Sequence, residues 1–397
     1  MHDVWITGVG IISALGSGLD EHARALREGR SGLGPHELFG GREPDPCVCG
    51  IVPRKDLAAG IDESARDRAD RLLDHAVKQA LSEAGLGPGV EADIIAGTTL
   101  SNMHGGSLYY RDIRRGAEGD ISLVRHFIPS APVEFVARAN AITGRHCAVC
   151  SACASASAAL GQAFRRIAHG RCARAVAGGF DALSPFVVAG FNSLRLVSPS
   201  PSRPFDRDRD GLNPGEGAAM LVLESKDAAL KRGARPLARI AGFGEALEAY
   251  HYTRADPEGS GLAASFRKAL QSAGISPHEV GHLHLHGTGT HANDRSEYVA
   301  CRKVFGEKLA AIPACSTKPL TGHTFGAAGA VNAVFSIVSI RDRFVPATRF
   351  CTNMDPEFEG LELPSQPQDR PGLCTVASSA LGFGGEASVL IFSKVGA

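Results

Sequence analysis

The chain has 397 residues, 44% of them apolar and 21% charged, with 42 basic side chains against 42 acidic ones. That length exceeds what one simple core organises and predicts two cores or one duplicated core. Zero net charge gives no bulk attraction to nucleic acid or to an anionic membrane, leaving only local basic patches for an acidic partner.

The first predicted element is the strand Val4-Trp-Ile-Thr-Gly-Val-Gly10, which closes on a glycine turn and is too short and glycine-rich for a secretory signal. A helix follows over Asp70–Ala84, with Leu72, Leu73, Ala76, Val77, Ala80 and Leu81 at helical spacing, stopped by Gly85. The strand Asp93–Thr98 comes next, then an alanine-rich helix over Ser151–Ile167 and a strand over Ala173–Gly179.

From Ala238 the pattern starts again. Ala238-Arg-Ile-Ala-Gly-Phe-Gly244 repeats the opening strand, Leu262–Ala273 the helix and Gly274 its stop, and His282–Thr288 the second strand. Ala80-Leu-Ser-Glu-Ala-Gly-Leu-Gly-Pro88 matches Ala269-Leu-Gln-Ser-Ala-Gly-Ile-Ser-Pro277 closely. A second helix opening in small residues spans Gly322–Ile340. Its apolar run from Gly326 to Ile340 falls short of the roughly 20 residues a membrane span needs. The chain therefore divides into α/β halves at 1–240 and 241–397, with the small-residue helices suited to close central packing. Ten irregularly spaced cysteines without an export signal predict reduced thiols and a cytoplasmic protein.

Four strings carry chemistry. Cys150-Ser-Ala-Cys153-Ala-Ser-Ala156 sets a cysteine at a helix start, where the backbone dipole favours a thiolate. Taken alone it also fits a buried structural cysteine, or a CxxCxxC metal run through Cys147, Cys150 and Cys153 that lacks a second ligand cluster. His286-Gly-Thr288-Gly-Thr290 ends a strand, though His282 and His284 alternate with His286, so period does not single it out. Ser316-Thr-Lys318-Pro-Leu-Thr-Gly-His323 places His323 at a helix start with a lysine five residues upstream. Gly382-Phe383-Gly-Gly385 is a turn suited to presenting amide N–H groups.

Together with Arg203-Pro-Phe-Asp-Arg-Asp-Arg-Asp-Gly211, these strings resemble the β-ketoacyl-acyl-carrier-protein synthase I/II family in order and spacing, over essentially the whole chain. The resemblance implies a thiolase-like, duplicated αβαβα five-layered fold, usually dimeric. It implies decarboxylative condensation of a Cys-bound acyl chain with malonyl-acyl-carrier protein, in fatty-acid or polyketide and aryl-polyene-type biosynthesis. Substrates would arrive on phosphopantetheine, with no bound cofactor and no metal. Cys153 matches the acylated nucleophile, His286 and His323 the decarboxylation pair, and Lys318 with Glu297 their support. Thr288 and Thr290 match threonines holding the pantetheine arm, and Phe383 the gate whose amide joins that of Cys153 in an oxyanion hole. The family's Thr-Asn after the final glycine pair is Glu386-Ala387 here, which puts side-chain support of the gate in doubt.

A thiolase would need a second cysteine where Ala380–Gly384 stands, and a chain-length-factor subunit would lack the nucleophile. The chain reads as the active partner of a homodimer or of a heterodimer with such a factor. Two further expectations concern substrates. Ser101–Tyr110, with Asn102, Met103, His104 and Tyr110, should set tunnel depth together with residues across the dimer interface, and at least one of two clusters, Arg66, Arg68 and Arg71 or Arg203, Arg207 and Arg209, should frame the tunnel mouth for an acidic carrier.

Overall fold

The computed structural model describes residues 2–36, 47–53, 56, 68–125 and 127–396. Its main sheet takes five strands from the first half, β1 (Val4–Ser13), β2 (Asp93–Gly97), β3 (His146–Val149), β4 (Arg174–Asp181) and β5 (Gly217–Ser225). Five more come from the second, β6 (Ala238–Leu247), β7 (His282–His284), β8 (Ala314–Cys315), β9 (Thr375–Leu381) and β10 (Glu386–Ser393). The order is β8-β7-β9-β10-β6-β1-β5-β4-β2-β3, with the short strand Gly16–Ser17 added to β1.

Counted from the centre, each half lays down its first, fifth, fourth, second and third strand. The pairings also agree: antiparallel for β1–β5, β5–β4, β6–β10 and β10–β9, and parallel for β4–β2, β2–β3, β9–β7 and β7–β8. The halves join where Val4, Trp5 and Ile6 pair with Ile240, Arg239 and Ala238. The repeat seen in the sequence is thus a repeat of topology.

Five helices complete the layers. Helix α1 (Arg68–Glu83) covers β1 and β5, and α3 (Ser260–Ala273) covers β6 and β10 with α4 (His291–Phe305) beside it. Helices α2 (Ser155–Ala168) and α5 (Ala328–Asp342) lie between the half-sheets and touch each other. This is the expected αβαβα arrangement. Every residue of α5 from Ala328 to Ile340 is buried, so its sequence shows an apolar run rather than an amphipathic stripe. No helix among the described residues is long and apolar enough to cross a membrane.

Gly10 and Gly244 are not turns. β1 runs on to Ser13 and β6 to Leu247, and the glycines let the outer helices seat. A Cβ on Gly10 would stand 1.9 Å from the Ala76 carbonyl oxygen, and one on Gly244 2.1 Å from that of Ser265. The two central helices also start later than their composition predicts. Residues 151–154 form a turn with Ala152 at φ 45°, and α2 begins at Ser155. The second stretch breaks into a single 3-10 turn, Phe325–Ala327, with Phe325 at φ 47°, before α5. Non-glycine residues held in the left-handed region cost energy and persist where surrounding structure fixes them. Both lie beside the residues described next.

Candidate active site

Cys153 sits in the turn ahead of α2, not in its first helical residues. The turn is tied from inside: the Ser151 amide donates to Ser155 Oγ at 2.8 Å, and Ser155 Oγ donates to the Ala152 carbonyl at 2.6 Å. Thr99 Oγ1, from the loop after β2, donates to that same carbonyl at 2.8 Å. The result is a buried sulfur, 6% exposed, faced by the amides of Phe383 and of Cys153 itself. Burial pushes the thiol up to about 12, against the Lys318 charge and those two amides, and the nearby Asp181 carboxylate adds to the push. A dipole-lowered thiol, expected from a helix start, is therefore not what the resting site holds: desolvation outweighs the amides.

The two histidines approach from the other half. His286 follows β7 through Leu285, and His323 precedes the Phe325–Ala327 turn. Their rings lie 5.2 Å apart, edge to face. The Phe325 amide donates to His323 Nδ1 at 3.1 Å, and Lys318 Nζ lies 3.3 Å from His286 Nδ1 while also donating to the His286 carbonyl. An ammonium only donates, so each Nδ1 accepts and each ring carries its proton on Nε2. Burial first, and then the Lys318 charge, hold both imidazoles well below their ordinary range, so both stay neutral N–H donors. The neutrality expected from a helix dipole at His323 arises from desolvation.

Behind the rings, burial lowers the Lys318 ammonium to about 8, while the charges of Glu297, Cys153 and Asp294 draw it back up. Glu297 supports the site from α4. It accepts from the His286 amide at 2.7 Å, the Gly287 amide at 2.8 Å and Ser379 Oγ at 2.6 Å. It fixes the His286 loop directly and reaches Lys318 through its field.

Cys153, His286, His323, Thr288, Thr290 and Phe383 all line one cavity of about 450 Å³. The Thr288 and Thr290 hydroxyls lie 2.9 Å apart on its wall. Phe383 stacks on Phe191 at 5.6 Å between centroids. Its loop is held by backbone: the Gly382 amide donates to the Glu386 carbonyl at 2.7 Å, and the Gly384 amide to the Tyr252 carbonyl at 2.9 Å. These two bonds are made by main-chain atoms and do not draw on the side chains of Glu386 and Ala387.

Two residues that sequence reasoning missed complete the site. Phe191 is the stacking partner of Phe383. Asp181, ending β4, accepts from Thr98 Oγ1 and from the amides of Thr99, Leu100 and Gly326, binding the loop after β2 to the turn before α5. Burial raises its carboxyl to about 6. The only signal in sequence was an acid closing an apolar strand.

The other expected residues fall in different places. Tyr110 is 65% exposed, Asn102 caps the helix Met103–Arg114 through the Gly105 amide, and Met103 packs, with Phe191, against the cluster that holds Phe325. Arg68 is buried against Glu216, and Arg209 is buried against Asp355 and Glu357, so both serve the fold rather than a carrier. Arg207 is exposed, and Arg66 lies outside the described residues. Cys147 is half-buried on β3 and Cys150 exposed in the turn.

Comparison with known proteins gives a consistent answer. The family described as "Beta-ketoacyl synthase, N-terminal domain" matches residues 1–229, and "Beta-ketoacyl synthase, C-terminal domain" matches 237–352. The chain is 33% identical to the 3-oxoacyl-[acyl-carrier-protein] synthase 2 of Coxiella burnetii, covering 99% of this chain and 98% of that one. It superposes on a solved structure of the ishigamide ketosynthase/chain length factor with a TM-score of 0.92, at 31% identity and full coverage of both chains. A second structure, of a type II PKS acyl-carrier protein in complex with its ketosynthase bound to the hexaketide, gives a TM-score of 0.90 at 28% identity, covering 99% of this chain and 100% of that one. The paired histidines facing one buried cysteine, the duplicated topology and these likenesses over full length agree: the chain belongs to the β-ketoacyl synthase family.

Proposed function

We propose that this protein is a β-ketoacyl-acyl-carrier-protein synthase, an acyltransferase that extends a Cys153-bound acyl chain by decarboxylative condensation with malonyl-acyl-carrier protein. The observation that carries the reading is the shared tautomer of His286 and His323, two neutral Nε2–H donors lining the same cavity as Cys153.

In this reading the Cys153 sulfur attacks the acyl thioester carbonyl, and the carrier's thiol leaves with the proton that Cys153 gives up. Malonyl thioester then enters. As its carboxylate departs as carbon dioxide, the electron pair of the broken C–C bond moves onto the thioester oxygen, where the two Nε2–H groups meet it. Neutral donors suit this step because they stabilise an enolate without protonating it. The enolate carbon attacks the Cys153 acyl carbonyl, and the amides of Cys153 and Phe383 face the oxygen that becomes negative. Collapse breaks the C–S bond and returns the sulfur. Lys318 and Glu297 hold the histidines neutral and in place; Thr288 and Thr290 receive the pantetheine arm. Residues 1–240 thus supply the nucleophile and 241–397 the decarboxylation pair. The reaction calls for no bound cofactor, and its carrier-borne substrates fit a cytoplasmic enzyme.

The names of the structural relatives favour one variant of this reading, in which the active chain pairs with a chain-length-factor subunit rather than with itself. The test supplies purified chain with an acyl carrier and a malonyl carrier. Carbon dioxide should appear in step with 3-oxoacyl product, with acyl label on Cys153. Label on Cys147 or Cys150, with activity kept in Cys153→Ala, overturns the assignment; product only after adding a second subunit selects the heterodimer.

A further inference from the structure

Among the described residues, one group of three metal-ligating side chains converges on a point, and the reaction above uses none of them: His282, His284 and Cys315, whose ligand atoms all lie within 4.8 Å of one another. All three are 0% exposed. We propose that they form a buried transition-metal site, suited to Zn²⁺, that staples β7 to β8 beneath the active site.

One pair of the three ligands already stands at the spacing such an ion requires, and the third lies within 4.8 Å of both. His282 and His284, two residues apart on one strand, present side chains to the same face, and Cys315 pairs with His284 across the ladder. His282 Nδ1 donates to the Pro313 carbonyl at 2.8 Å, which fixes the tautomer and makes Nε2 an acceptor for the Cys315 S–H, the proton an ion would replace. That nitrogen stands 3.5 Å from Cys315 Sγ. Zinc bonds of about 2.0–2.1 Å to nitrogen and 2.3 Å to sulfur at a tetrahedral angle put those atoms about 3.5 Å apart. Thr317 Oγ1 and Ser336 Oγ lie 3.0 and 3.4 Å from the two nitrogens of His284. Coordination through one nitrogen releases its hydroxyl, which becomes available as a fourth donor.

The ligands are in the right state to be filled. Burial lowers His282 to about 4 and holds His284 well below its ordinary range, so both imidazoles are neutral. Burial raises the Cys315 thiol, so an ion binds by displacing that proton to solvent, forming the metal–sulfur bond as the S–H bond breaks. A divalent ion with one thiolate leaves one net positive charge beside Lys318, whose field already keeps His284 and His286 uncharged.

The place explains what a staple would do. The β7–β8 ladder has two registered pairs, Leu283 with Ala314 and His284 with Cys315, whereas its counterpart β2–β3 in the first half has four. β8 is the edge of the sheet, and its chain leads within three residues to Lys318, as β7 leads within two to His286. A ladder of only two pairs thus leads into two residues of the site.

The test measures metal in the full chain, expressed with added zinc, passed over a chelator and analysed for elements, with Cys153→Ala alongside because Cys153, His286 and His323 are a second thiol–imidazole set. About one zinc per chain is expected in both. Cys315→Ser and His282→Gln should lower it by at least about tenfold. Refolding Cys153→Ala with cobalt(II) should give a thiolate-to-cobalt charge-transfer band that Cys315→Ser lacks. Loss of metal in Cys153→Ala assigns the ion to the active site and overturns the proposal. So does the absence of both bound zinc and the cobalt band in Cys153→Ala, a result that decides the matter even if the Cys315 and His282 variants fail to fold.

Discussion

The turns ahead of the two central helices are built alike and do opposite chemistry. Each holds a non-glycine residue in the left-handed region, Ala152 before α2 and Phe325 before α5, and each presents one reactive side chain to the same cavity. The first turn is fixed by the hydroxyls of Ser155 and Thr99 and offers a thiol. The second is fixed by Asp181 at the Gly326 amide, 2.6 Å away, and by the Asn213 carbonyl, which accepts from the His323 amide at 2.7 Å, and it offers an imidazole. Duplication supplied one scaffold twice. Divergence at one buried corner of each copy sets a thiol in one and an imidazole in the other.

The sharpest way to break this comparison is to erase the difference. Cys153→Ser should abolish measurable condensation, because a hydroxyl is a far weaker nucleophile in a site that already disfavours charge on sulfur. Circular dichroism of the variant should match the parent. Appreciable product from Cys153→Ser would mean that the first turn is not the nucleophilic one.

His286→Ala or His323→Ala should lower malonyl decarboxylation about 10²- to 10³-fold, the usual cost of one aimed donor, while Cys153 still accepts an acyl chain. The two steps are separable by mass spectrometry of the acyl-enzyme beside carbon dioxide release. Wild-type release from either variant would remove that histidine from the pair.

The halves should also part in acid. In the chain stripped of metal, four histidines of the second half, His282, His284, His286 and His323, are buried with lowered affinity for protons, against His22 and half-buried His75 and His104 in the first. A histidine lowered from 6.5 to about 4 binds its proton in the unfolded chain first. Stability is therefore lost as pH falls through that window, on the order of 3 kcal/mol for His22. Raised carboxyls act the other way, Asp181 and Glu83 in the first half and Asp294, Glu297, Glu248 and Glu386 in the second. Among the described residues the fully buried rings with lowered proton affinity number four in the second half against one in the first, and that excess sets the direction expected. Hydrogen exchange at pH 5 should show β7, β9 and α5 losing protection before β2, β4 and α1, and the reverse order would refute the asymmetry.

The smallest effect is expected at the loop that closes the cavity. Phe383 is half-buried and rests on Phe191, so Phe383→Ala should change melting temperature little. It should let malonyl decarboxylation proceed without prior acylation, because a ring on a glycine-flanked loop is free to swing. Retained coupling with a large fall in melting temperature would make the ring a packing residue.

What could be read from the sequence was what lies contiguous in it. Cys153, His286, Lys318, His323 and Phe383 each sit in a short string whose composition already suits its chemistry, and the repeat of strand, helix and glycine stop predicted two like halves. Contacts across long separations were hidden. Asp181 acquires its meaning from amides 82 and 145 residues away, and Phe191 from a ring on another loop. Arg209 stands in a basic string that suits docking, and the carboxylates that enclose it, Asp355 and Glu357, lie 146 and 148 residues away. Proton affinity was misjudged for the same reason, since desolvation belongs to the packed site and not to the helix start that the string announces.

The brace under Ala152 bears on how this molecule can be used. Because Ser155, Thr99 and the backbone set the position of Cys153, replacing the sulfur should leave its surroundings in shape. An inactive variant should serve as a faithful mould of the working enzyme. Catalytically silent chains of this kind are suited to trapping carrier complexes for crystallography or cross-linking, and to selecting acyl preferences by affinity alone. Libraries that diversify the cavity wall would do well to leave residues 151–155 and Thr99 untouched.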